Sequence, residues 1–367
     1  MGISSLLRHA SFDLLFLLVL LMYLAAYPFR RLTDVGVAFL SLLALCYTSD
    51  GALWVILYEL QTVLFFILCL VWSSSAYPTI YAGARFHMAL TQTFFTLSLS
   101  AMCIMFYFTT GRSVFLLVSF CLKLAVFPSC YWLVEIHAQI PTSGSLLLSA
   151  IYVKLGWLGL LKFSVRSTAV SYWGMMGEVI VLSAGAGVLF LSLCLVCAST
   201  VKVLLALQSC IHTNLVIPYA VMTPHTSELF GGSWAHSISS GALFLLLSSA
   251  SEQYSCKELT WICSKGTPFS TLVLAILVVT CAPFTLGARS EMGLLRMLVS
   301  VYPSFTFLHV VLFCVPKMVL TWLFFHYIMC GVSGSGVESM VPLVASPACV
   351  CVQGALSTNV LLYWSAL

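Results

Sequence analysis

The chain has 367 residues, 61% hydrophobic and only 7% charged, with a formal net charge of +4. A soluble domain carries about 25% charged residues, so this composition excludes a soluble globular protein and indicates an all-α polytopic membrane protein. So small a net charge over this length also argues against a nucleic-acid partner.

A membrane helix needs roughly 20 residues. Apolar runs bounded by Pro, Gly or charged residues place spans at 11–28, 33–49, 51–73, 86–111, 113–133, 145–164, 171–197, 200–222, 228–250, 266–300, 303–331 and 339–365. Arg8 precedes the first run, but no small-residue cleavage site follows it, so 11–28 reads as a retained helix rather than a leader. The expected total is about twelve helices in a single transmembrane domain over 1–367. The connecting loops are short, and none has the length or composition of a binding domain.

Two of these spans carry interruptions. In the fifth, Lys123 is followed by Pro128; in the tenth, Pro283 is followed by Gly287, Arg289 and Glu291. Proline removes a backbone bond and glycine loosens the turn, so breaks are expected near 123–128 and 283–290. Two broken helices five spans apart suggest an internal inverted repeat, with a first unit over 51–164 and a second over 171–331.

A charge at the bilayer centre costs about 2.5–3.5 kcal/mol on the insertion scale, and such residues usually have a function. Glu59, Lys123, Lys154, His212, His236 and Glu291 lie within spans or at a break, and His137 lies in the segment that interrupts the apolar run between Lys123 and Lys154. Glu178, Lys202 and Arg296 sit nearer span ends, where snorkelling to the headgroups explains them. As a set the mid-span groups suit a proton relay. Histidine titrates near neutrality, and a carboxylate that pairs with a buried lysine and then releases it would gate the lysine's proton. A Glu59–Lys123 pair is the first expectation.

Fifteen cysteines fall largely inside apolar runs. Cys194 and Cys197 form a CxxC and Cys349 and Cys351 a CxC, but no second ligand pair or flanking His completes a metal site. Ligand spacings for haem, iron–sulfur or zinc are lacking, as are a Gly-rich phosphate loop and a nucleophile–base pair. No bound cofactor and no metal are expected.

Several motifs resemble one family. Lys123, Trp132-Leu133, His137, Pro141, Gly144-Ser145, Lys154-Leu155-Gly156 and Gly159 run in phase with it. So do Lys202-(x3)-Ala206-(x2)-Ser209-(x2)-His212, Ala235-His236 with Ser239-Ser240 and Leu243-Phe244, and Pro283-(x7)-Glu291. Upstream, Leu57-Tyr58-Glu59-Leu60 matches in the same way. Over residues 50–300 the chain resembles the antiporter-like, proton-translocating membrane subunits of respiratory complex I, NADH:ubiquinone oxidoreductase. Lys154, and an acid rather than a lysine at Glu291, are similar to the chain 4 pattern.

The resemblance implies a proton-relay role for Glu59, Lys123, Lys154, His212, His236 and Glu291, with Glu291 as the terminal exit acid. His137, Lys202 and Arg289 become accessory candidates. It implies a subunit of an H+-translocating NADH:ubiquinone reductase with no redox site of its own, the FMN, iron–sulfur clusters, NADH and ubiquinone belonging to the holoenzyme. The implied partners are other membrane-arm subunits, including the antiporter-like chains 2 and 5, and lipids such as cardiolipin. The implied setting is the mitochondrial inner membrane. With no amphipathic Arg/Ser-rich presequence, synthesis inside the organelle is expected.

The chain departs from the family at Ala125 and Val134, where the family has proline, and at Gly287, where it has Asn. Glu59 arrives in the third span, so two N-terminal helices are expected to be missing and the lineage to be divergent. Two other functions share these features: a subunit of a multisubunit cation/proton antiporter, and a structural membrane-arm subunit with an idle relay.

Overall fold

Asp50 begins the first long helix by accepting from the amide of Ala52 at 3.2 Å through its side chain and from Trp54 at 3.0 Å through its carbonyl. This is the N-cap geometry expected of a short carboxylate. The computed structural model describes residues 50–73, 80–111, 114–164, 174–198, 200–222 and 286–301, with separate residues within 44–48, 236–244 and 311–322. Helix α1 spans Gly51–Ser73 and α2 Ile80–Thr110. Then come α3 (Val114–Lys123), α4 (Tyr131–Gln139) and α5 (Thr142–Leu147). A π-helical turn at Leu148–Tyr152 leads into α6 (Val153–Ser164). Helices α7 (Gly174–Val196), α8 (Val201–Met222) and α9 (Leu286–Val301) complete the longer elements.

The described residues form a helical membrane fold. Gly51–Leu70, Leu90–Thr110 and Gly177–Val196 are long and apolar enough to cross a bilayer. Polarity is arranged as lipid solvent demands. Phe95, Leu182 and Leu193 face outward, whereas Gln61, Ser100, Ser119 and Asn214 are buried. Buried hydroxyls bond within their own helices, Ser192 Oγ to the Val188 carbonyl at 2.6 Å and Thr213 Oγ1 to the Ser209 carbonyl at 2.7 Å. Each thus avoids an unsatisfied polar group in an apolar setting. Helix α8 packs on α7 and α4 and touches α9, while α2 packs on α1, α3 and α4, and α3 packs on α6.

The expected break after Lys123 is present, and its cause is local backbone geometry. The amide of Val126 bonds to the Cys121 carbonyl at 3.0 Å and that of Ala125 to Leu122 at 3.2 Å, with Ala125 at φ 54. These are the paired bonds of a Schellman helix end, with alanine where glycine is usual. A non-glycine residue in the left-handed region costs about 1–2 kcal/mol. The helix therefore ends before Pro128, not at it. Helix α9 is continuous from Leu286 to Val301. The break expected over 283–290 is therefore not found at 286–290, where the helical hydrogen bonds run on. Residues 283–285 lie outside the described residues, as do the expected spans 11–28 and 339–365, most of 228–250 and the part of 266–300 before α9.

Close approach of α6 and α7 to the break depends on three glycines. A Cβ at Gly156 would lie 2.5 Å from Leu124 Cγ, and one at Gly159 would lie 2.4 Å from the Phe120 ring. At Gly187 it would lie 2.4 Å from Phe127 Cβ. Helix backbones can approach this closely only where the side chain is hydrogen.

Candidate functional site: a file of paired ionisable groups

Lys123 is the last residue of α3, and the turn that follows leaves its amine beside α1. Its Nζ lies 3.4 Å from Glu59 Oε1 and donates to the Tyr58 carbonyl at 3.1 Å. It also stands 3.2 Å from the centroid of the Tyr58 ring. Tyr58 stacks on Trp54 at 4.9 Å and meets Phe120 edge-on at 5.7 Å, so an aromatic wall fixes the ring under the amine. A cation over such a face gains about 2 kcal/mol when desolvated. Lys123 is 5% exposed and Glu59 24%, so the acid is the half of the pair nearer the outside.

The broken segment is held from α8. Asn214 Oδ1 accepts from the Phe127 amide at 3.0 Å, and its Nδ2 donates to the Cys210 carbonyl at 2.8 Å. Trp132 Nε1 donates to the Leu122 carbonyl at 3.1 Å. The first of these bonds satisfies the Phe127 amide, which lies beyond the helix end, and the others fix Asn214 and Trp132 in place.

Lys154 lies just after the π-helical turn and is fully buried. Its Nζ is 2.8 Å from His236 Nδ1. An ammonium has no lone pair to accept with, so a charged Lys154 donates to a bare Nδ1, while a neutral amine can accept from Nδ1–H. The His236 and His212 rings follow, with centroids 5.4 Å apart and planes at 73°. His212 Nδ1 is 3.3 Å from Glu291 Oε1, and the other carboxylate oxygen, Oε2, takes the Lys317 ammonium. The spatial order is therefore Lys154, His236, His212, Glu291, Lys317. It differs from chain order, in which His212 precedes His236.

The accessory candidates do not join this file. His137 is fully buried, stacks on Phe244 at 4.7 Å, and has no hydrogen-bond partner for either ring nitrogen among the described residues. Lys202 does not snorkel; its Nζ donates to the Ile140 carbonyl at 2.9 Å, closing the end of α4. Glu178 and Arg296 are exposed. The Arg289 side chain lies outside the described residues. Tyr58, Asn214 and Lys317 escaped the sequence reading. Lys317 carries the same signal as Lys154, a lysine inside an apolar run.

A family model described as "NADH:quinone oxidoreductase/Mrp antiporter, TM" matches residues 80–315, well over half of the chain. The chain belongs to this family. NADH-ubiquinone oxidoreductase chain 4 of Apis mellifera ligustica is 27% identical over 221 residues, 58% of this chain and 48% of that one. NADH-quinone oxidoreductase subunit M of Rhodobacter capsulatus is 33% identical over 130 residues, 35% of this chain and 25% of that one. Each match spans less than half of the relative's length. Among solved structures, a chain of respiratory complex I from Thermus thermophilus aligns with a TM-score of 0.64 at 14% identity, covering 94% of this chain and 82% of that one. A chain of the archaeal membrane-bound sulfane sulfur reductase aligns at 0.70 and 15% identity, covering 97% and 80%. At these identities the structures establish a shared fold.

Proposed function

We propose that this chain is a proton-translocating, antiporter-like membrane subunit of an NADH:quinone oxidoreductase of the mitochondrial chain 4 kind. The observation that carries the reading is the contiguous file Lys154–His236–His212–Glu291. Each neighbour pair in it is within direct or one-water reach, as a relay requires. In this reading a proton held by Lys154 passes to His236 when Nδ1 is bare, crosses to His212, and reaches Glu291. Glu59 and Lys123 form a separate pair whose opening and closing would set when a proton enters. In this reading electron transfer belongs to other subunits, and this subunit contributes to the H+-translocating reaction of the assembly.

The finer architecture belongs to the same proposal. It has about twelve spans in one domain, with repeats over 51–164 and 171–331. The setting is the mitochondrial inner membrane, with neighbouring antiporter-like chains 2 and 5 and cardiolipin as partners and synthesis inside the organelle. The names of the relatives support this reading over the cation/proton antiporter that the family description also covers. Purification of the tagged chain tests it. Recovery in a membrane particle that oxidises NADH and moves protons, with proton movement lost in Glu291→Gln, is the expected result. Recovery in a particle that exchanges sodium for protons without oxidising NADH would support the antiporter instead.

A further inference from the structure

Glu291 is not the end of the file. His212 faces one of its carboxylate oxygens and Lys317 the other, so a proton leaving Glu291 through Oε2 meets the lysine. Lys317 is also the most open of the three groups. The side chains of His212 and Glu291 are 13% and 10% exposed, and that of Lys317 is 28% exposed. Lysine is chemically fit for the place, because its ammonium donates into the carboxylate and its neutral amine can take a proton back. Lys317 also sits in an apolar stretch, Cys314-Val315-Pro316-Lys317-Met318-Val319, in the middle of the expected span 303–331. We infer that Lys317, rather than Glu291, is the terminal proton-exchange group of this subunit, taking protons from Glu291 Oε2 and passing them outward.

The bland alternative is a fixed counter-ion that merely steadies Glu291. Side-chain chemistry separates the two. Arginine keeps the charge and the pairing but does not release its proton, histidine keeps proton exchange without a permanent charge, and methionine keeps neither. The inference rests on the relay reading above, so Glu291→Gln serves as its control in the same assembled complex. Proton movement per NADH oxidised is measured in vesicles, with assembly followed by native electrophoresis. Exchange predicts that Lys317→His retains most of the proton movement, while Lys317→Arg and Lys317→Met lower it to about half or less. NADH oxidation with an artificial acceptor stays unchanged in all three. Full proton movement in Lys317→Arg overturns the inference and leaves the counter-ion. Should Lys317→Arg fail to assemble, His against Met decides, and equal losses in those two overturn it. Normal proton movement in Glu291→Gln removes the relay reading and this inference together, whereas loss there with a wild-type Lys317→Arg removes this inference alone.

Discussion

Lys154 Nζ and His236 Nδ1 meet at 2.8 Å although 82 positions separate them in the chain. The contact joins the first half of the described fold to the file that runs on through His212 to Glu291 and Lys317. If the two act as one step, their losses should not add. Lys154→Met combined with His236→Leu should lower coupled proton movement no further than the worse single substitution, because groups acting as a unit are non-additive. Independent, multiplying losses would show that the contact is packing.

The pair at the other end should behave differently. Glu59→Gln leaves the Lys123 ammonium with the Tyr58 carbonyl and ring as neighbours but without its carboxylate. Removing one partner of a buried pair costs up to about 3–5 kcal/mol, and the remaining carbonyl and ring should hold the loss to the lower part of that range. Thermal denaturation of the assembled complex reads the cost. Proton movement should fall more than NADH oxidation with an artificial acceptor, and equal falls would tell against a gate.

Asn214 offers a test of how the break is held. Asn214→Leu leaves the half-buried Phe127 amide without its acceptor, a cost near the lower end of the range of about 1–3 kcal/mol for a fully buried donor. Asn214→Asp keeps an acceptor in place and should recover part of the lost midpoint in thermal denaturation. Equal midpoints for Leu and Asn would mean the bond contributes nothing.

Gly187→Ala addresses the packing that brings α7 against the same turn. The added Cβ would stand 2.4 Å from Phe127 Cβ and 3.1 Å from Asn214 Oδ1. Since a Phe Cβ cannot swing aside as a side-chain tip can, backbone must move, at about 1–3 kcal/mol. Reduced assembly on native electrophoresis is expected, and unchanged assembly would show that α7 can slide.

Composition alone conveys the membrane class, since a 7% charged chain has no soluble fold to adopt. Helix α1 occupies the expected 51–73, because Asp50 and the apolar run after it mark its start locally. The break after Lys123 was readable as an event but not as a mechanism. Pro128 drew attention, whereas the turn is made at Ala125, a residue with no intrinsic preference for positive φ. The π-helical turn before Lys154 has no sequence mark at all, since LSAIY would serve equally in an α-helix. Which histidine ring faces Lys154 is decided by tertiary packing and has no mark in the sequence. Lys317 had a legible signal, a lysine amid apolar residues, and no motif around it to draw attention.

The central claim is that Lys154 carries protons, and the most direct measurement is the number of protons moved per NADH oxidised by the assembled complex in sealed vesicles. With Lys154→Ala, proton movement should fall to about half or less while NADH oxidation with an artificial acceptor is kept. Lys154→Arg should not restore it, because guanidinium holds its proton. Normal proton movement in Lys154→Ala, in a complex that assembles fully, would contradict the account.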